Sequence, residues 1–250
     1  MNLKENGNAS LHNYSSFKGS DAVKRHHHML AVVLSLVLVL SGCGTAKAET
    51  PPAAAPAEAA EIVHRDAAED LLLIVDFQNV YLPGNQWACP SMPQAMENTV
   101  KILEAPNAPD YIMSAYIAPV DPVGRWQQYN EAYKDINADP YLSELAEEMK
   151  PYAVEGKVAE KSTYSSLDAE AVQAAMAGKK AVVLTGVVAD CCVIATMYDA
   201  IDMGYEVVYL YDCIGGVSPE SEAEIRSLAE IFSPVHTTVM SSDEYLAAIG

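Results

Sequence analysis

The chain has 250 residues and carries 15 Lys and Arg against 34 Asp and Glu, a formal charge of −19 at pH 7. So acidic a surface repels phosphate backbones and anionic headgroups, which excludes nucleic acid as a partner and a basic patch as a means of membrane attachment. Half of the residues are hydrophobic, enough to bury a sizeable core.

The amino-terminal quarter of the chain does not read as domain. Lys24, Arg25 and three histidines precede an apolar run, Met29 to Leu40, whose length suits the core of a signal peptide and is short for a membrane span. The run ends in Leu40-Ser41-Gly42-Cys43, which resembles the bacterial lipobox. That resemblance implies that residues 1–43 are an n-region and lipoprotein signal, and that Cys43 is lipidated. The mature chain would then be anchored through its lipid to a bacterial membrane, on the extracytoplasmic side. Residues 44–61, rich in Ala, Pro and Glu, read as a tether. Residues 62–250 form one domain of ordinary size. It holds Cys89, Cys191, Cys192 and Cys213, a set that does not resemble a disulfide scaffold in a domain of this length.

Within 62–250 short apolar runs alternate with helical patterns, the signature of βαβ units. Asp70 to Val75, continuous in Leu, Ile and Val, is predicted as a strand covered on both faces. A helix over Met92 to Leu103 and a strand over Tyr111 to Tyr116 follow. Ala118 to Pro140, with Pro119, Pro122, Gly124 and a dense aromatic group, is expected to be an irregular insertion, and Tyr141 to Met149 a short helix. Further strands are predicted at Val158 to Glu160, Ala181 to Thr185, Glu206 to Tyr211 and Val235 to Thr238. Helices are predicted at Asp168 to Ala177, Cys192 to Met203, Pro219 to Phe232 with Ser218 as cap, and Ser241 to Ile249. Right-handed crossovers make this an α/β chain, a three-layer α/β/α sandwich on a mostly parallel six-stranded sheet of Rossmann-like topology.

Three residues fall where strands end, at the crevice above such a sheet. Cys192 lies where the run AVVLT hands over to a helix, whose amides and dipole can hold a thiolate and an oxyanion. Cys191 competes with it, and a buried cysteine also serves as a small core hydrophobe. Asp76 ends LLLIVD and is placed to take a thiol proton and return it to a leaving group; an aspartate there also serves in a turn. Lys161, in EKSTYSSL, would hold Asp76 as an anion and favour the thiolate. Taken alone, a lysine is more often a surface residue.

Asp76 in LLLIVDFQNVY, Lys161 in EKSTYSSL and Cys192 in TGVVADCCVIATMYDAIDMGYEV together resemble the landmarks of the isochorismatase-like cysteine hydrolase family. Gly186, Val187, Asp190, Val193, Thr196, Asp199, Ala200, Gly204, Tyr205 and Asp212 fit the same pattern, and the resemblance covers nearly all of Asp70 to Val239. It implies an isochorismatase-like fold and an Asp76–Lys161–Cys192 triad, preferring Cys192 to Cys191. It also implies a cis bond between Val187 and Val188, in a loop with Cys191 that faces the oxyanion. The implied enzyme is a hydrolase of non-peptide C–N bonds that cleaves a small carboxamide or ureido (N-carbamoyl) substrate through a thioester, and a homo-oligomer. Vinyl ether hydrolysis of the isochorismate type and a catalytically silent binding or scaffold domain remain as alternatives.

Nicotinamidases of that family carry a metal-binding Asp-x-His after the second strand. Here Ser114-Ala115-Tyr116-Ile117-Ala118 stands in its place, and the only histidines of the domain are His64 and His236. No metal or other cofactor is therefore expected. Specificity is expected from Pro119 to Tyr133, with Arg125 pairing with a substrate carboxylate and Trp126 and Tyr129 forming an apolar wall. Gln78 and Asn79 are candidates to donate to the substrate, and Tyr164 to line the pocket.

Overall fold

A computed structural model describes residues 64–250. Cys43, the apolar run before it and the proposed tether lie outside the described residues. Among the described residues no helix is long and apolar enough to cross a membrane.

Strand β1, Asp70–Val75, is buried along its whole length. Leu72 and Ile74 enter one core layer, and Leu71, Leu73 and Val75 the other, the alternation of a strand covered on both faces. It lies inside a six-stranded sheet of order β3-β2-β1-β4-β5-β6, in which every neighbouring pair is parallel. The other strands are β2 Asp110–Tyr116, β3 Val158–Lys161, β4 Ala181–Val187, β5 Glu206–Gly215 and β6 Thr237–Met240. Helices α1, Met92–Leu103, and α8, Ser242–Ile249, cover one face. Helices α5 Glu170–Met176, α6 Ile194–Asp202 and α7 Pro219–Ile231 cover the other. The chain therefore folds as a three-layer α/β/α sandwich. Its strand order turns back between β1 and β4, which opens a crevice at their carboxyl ends.

The insertion is not irregular. It contains α2 Arg125–Ala132, α3 Lys134–Asn137 and α4 Pro140–Ser143. The helix-breaking residues Pro119, Pro122 and Gly124 occupy only its start; beyond them no proline falls until Pro140. Trp126, Tyr129 and Tyr133 recur at helical spacing and pack on the main core. The helix expected over Tyr141 to Met149 is broken. Leu145 forms an antiparallel bridge with Gln78, and the Ala146 N–H donates to the Phe77 carbonyl at 2.8 Å, so the chain is extended there. A 3-10 stretch, Glu147–Tyr152, follows. Helix α6 starts at Ile194, two residues later than expected, because Ala189–Val193 forms a wider π-type turn that contains Cys192.

Candidate active site

Asp76 follows β1 directly and has a φ of 52°, the only described non-glycine residue with positive φ. That left-handed conformation is rare for most side chains and better tolerated by aspartate. Its neighbours hold it there: the Asp76 N–H donates to the Ser114 carbonyl at 3.1 Å, and the Gln78 N–H to the Asp76 carbonyl at 2.7 Å. Lys161 ends β3, whose alternating burial turns it inward. Cys192 sits beyond β4. Strands on both sides of the switch point thus bring the three residues to one place.

The Lys161 ammonium lies 2.7 Å from Asp76 Oδ2, and both side chains are wholly buried. It also donates to the carbonyls of Thr163 and Tyr164 at 2.9 Å each, and stands 3.4 Å from Cys192 Sγ. Asp76 Oδ1 accepts from Ser114 Oγ at 2.9 Å. Cys192 is 4 % exposed. Burial and the Asp76 charge push its thiol well above the ordinary value, against the opposing pull of Lys161. Burial likewise works against the Lys161 charge, but Asp76 and Cys192 outweigh it and raise the ammonium. Burial and Asp76 thus favour the thiol form of the resting sulfur, and Lys161 favours the thiolate. The amides of Cys191 and Val193 both donate to the Val188 carbonyl, at 3.0 and 3.1 Å. Cys191 is half-buried, with its thiol pushed up to about 11 by burial and Asp190. The Val187–Val188 bond is cis.

Trp126 and Tyr129 face inward from α2. The Trp126 ring lies 5.2 Å from that of Tyr129, 5.0 Å from Tyr164 and 6.5 Å from Tyr116. The Tyr116 ring in turn lies 5.8 Å from the Lys161 ammonium. Trp87, in the loop after Asp76, closes the group behind Tyr116, Tyr129 and Tyr133. Sequence reasoning passed over Trp87 and Tyr116. The signal for Tyr116 was its place at the end of the strand beside the one carrying Asp76.

Three residues expected to contact substrate are engaged within the protein or turned outward. Arg125 is exposed and donates to Gln128 Oε1 at 2.7 Å, because the helical phase that turns Trp126 inward turns its neighbour out. The Gln78 amide is fully engaged. Its Nε2 donates to the carbonyls of Tyr116 and Ser143 at 3.0 and 2.7 Å, and its Oε1 accepts from the Tyr116 N–H at 2.8 Å. Asn79 is buried and donates to the Tyr141 carbonyl at 2.9 Å. Both amides brace the insertion against the exit of β1. Among the described residues no group of three or more His, Cys, Asp or Glu side chains is placed to hold a metal ion.

Comparison with known proteins agrees with the fold. An isochorismatase-like hydrolase from Alkaliphilus metalliredigens superposes with a TM-score of 0.58 at 20% identity, covering 74% of this chain and 98% of its own. A cysteine hydrolase from Pseudomonas syringae pv. phaseolicola gives 0.63 at 18%, covering 75% and 96%. N-carbamoylsarcosine amidase from Thermoplasma acidophilum gives 0.55 at 24%, covering 70% and 96%. No curated protein matches the sequence. The isochorismatase domain family matches residues 70–241, from the first residue of β1 to the residue before α8; the chain belongs to the isochorismatase family.

Proposed function

We propose that the protein is a cysteine hydrolase of small carboxamides, with Cys192 as nucleophile, Asp76 as general base and acid, and Lys161 as the charge that keeps Asp76 ready. The observation that carries this reading is the buried contact of carboxylate, ammonium and sulfur, 2.7 and 3.4 Å apart, at the switch point of the sheet. As the substrate carbonyl arrives, Asp76 takes the Cys192 proton and the sulfur attacks the carbonyl carbon. The tetrahedral adduct collapses to a thioester, and Asp76 hands the proton to the departing ammonia or amine. Asp76 then takes a proton from water, whose oxygen attacks the thioester; the acid leaves and the thiol is restored.

A ureido acid is the other substrate this chemistry suits. The wall near the sulfur is aromatic, and the Arg125 guanidinium faces solvent, which favours an uncharged amide over an acid. Ammonia release from a panel of small amides and ureido acids tests the reading, with intact-mass detection of the acyl-enzyme. Wild type should release ammonia and Cys192→Ala should not. Turnover surviving in Cys192→Ala, pyruvate formed from isochorismate with no amide hydrolysed, or no turnover at all would overturn it.

We also propose that a lipid on Cys43 holds the domain at the outer face of a bacterial membrane. The support is the lipobox-like tetrad after the apolar run. Labelling with a palmitate analogue in a bacterial host should mark the parent chain and spare Cys43→Ser; an unlabelled parent would sink the proposal.

A further inference from the structure

Acid and nucleophile are joined a second time, through a chain of hydroxyls behind their direct meeting. Ser114 Oγ donates to Asp76 Oδ1 at 2.9 Å and lies 2.8 Å from Ser166 Oγ. A hydroxyl has one proton. With that of Ser114 directed at the carboxylate, Ser166 is the donor in the second bond. The backbone N–H of Ser166 donates to Thr196 Oγ1 at 3.0 Å, and Thr196 Oγ1 donates to the Cys192 carbonyl at 2.7 Å. Ser114, Ser166 and Thr196 are each 0 % exposed. The path runs from the carboxylate oxygen that faces away from Lys161 to the backbone of the nucleophile itself. Ser166 also lies five residues after Lys161, in the same segment whose carbonyls hold the ammonium.

We propose that Ser114, Ser166 and Thr196 are positioning residues that fix the Asp76 carboxylate relative to Cys192; the proposal rests on the cysteine-hydrolase reading. With Oδ2 on Lys161 and Oδ1 on Ser114, the carboxylate has a single orientation and its remaining lone pair is aimed by the frame, not by chance. Hydrogen bonds to a charged acceptor are stronger than neutral ones, and each hydroxyl in a chain polarises the next. A hydroxyl that merely satisfied its own burial would need any one carbonyl. This chain instead ends on the acid at one side and on the nucleophile at the other. Removing the Ser114 hydroxyl frees Oδ1 and lets the carboxylate rotate about its Cβ–Cγ bond.

Iodoacetamide, itself a small carboxamide, is the probe. Alkylation of Cys192 and Cys191 in the full chain is followed together by peptide mass. Cys191 is a built-in control, since it lies in the same loop but takes no part in the hydroxyl chain; its own rate in each variant is compared with its rate in the parent chain. Ser114→Ala should slow Cys192 by about tenfold at neutral pH, the size of one hydrogen bond to a charged group, and leave Cys191 unchanged. Ser114→Thr, which keeps the hydroxyl, should restore the rate. Combining Ser114→Ala with Ser166→Ala should slow Cys192 by less than the product of the two single effects. Equal slowing of both cysteines would reduce the three hydroxyls to packing groups. So would an unchanged Cys192 in Ser114→Ala when Asp76→Asn does slow it. If Asp76→Asn leaves Cys192 unaffected as well, the cysteine-hydrolase reading falls and the positioning role falls with it.

Discussion

At the scale of single residues, the Lys161–Asp76 pair is the most demanding feature of the molecule. Two wholly buried charges lose their hydration, and only their mutual attraction and surrounding hydrogen bonds offset the loss. Lys161→Met keeps the side-chain length but strands a buried carboxylate, and should lower unfolding stability by about 3–5 kcal/mol. The double variant Lys161→Met with Asp76→Asn leaves no unpaired charge and should recover part of that loss. Urea midpoints of the three chains check this; a double variant no more stable than Lys161→Met would contradict it. The meeting of Asp76, Lys161 and Cys192 was legible in sequence because Lys161 ends one strand, Asp76 directly follows another and Cys192 lies in the turn after a third, all at the carboxyl edge of the sheet. The roles of Gln78 and Arg125 were not legible. Gln78 is engaged by carbonyls 38 and 65 residues away, and the outward aim of Arg125 depends on the phase of a helix that begins only after Gly124.

Among the elements, the contact of β1 with β4 sets the geometry of the site. Gly186 pairs with Val75 and has a φ of 118°, and a Cβ there would overlap the Val75 backbone. No side-chain movement relieves a clash with backbone, so Gly186→Ala must push β4 away from β1 beside Asp76. Strained φ and overpacking each contribute about 1–3 kcal/mol, so the variant should lose at least about 2 kcal/mol and most of its turnover. Gly204 is the control. Its φ is 90° but nothing lies near its missing Cβ, so Gly204→Ala should bear the backbone strain alone and keep activity. Thermal unfolding and ammonia release distinguish the two, and a Gly186→Ala chain as stable as Gly204→Ala would show that the strands part without penalty. The three layers and the parallel six-stranded sheet were readable from the alternation of apolar runs with helical patterns, since burial on both faces writes itself into β1 and β4; the order of the strands was not. The insertion was misread because proline and glycine at its start obscure the helical spacing of Trp126, Tyr129 and Tyr133. What orders it is packing on Trp87, a contact from a distant loop.

For the whole molecule, the four described cysteines are all free and all carry thiols raised above 9.0, first of all by burial. A raised thiol keeps its proton in the folded chain at a pH where the unfolded chain has released it. The folded state then binds more protons than the unfolded one, so stability falls as pH rises. The contribution is complete below the unfolded value near 9.0 and is lost through the folded values above it. Lys161, raised above 10.5, adds a loss of the same sign at higher pH, as do the buried tyrosines raised above 10.0, such as Tyr81 and Tyr116. The thiols are therefore the dominant source of slope just above pH 9. Urea-unfolding free energy should decline there by up to about 1.4 kcal/mol per pH unit for each thiol that titrates only on unfolding. Cys213→Ala should be less stable at every pH, for it leaves a cavity in the core, yet its slope should be shallower by one thiol's share. The offset reports packing and the slope reports protons. A flat profile across that interval, or an unchanged slope in Cys213→Ala, would mean that the buried sulfurs ionise as readily inside the fold as outside it.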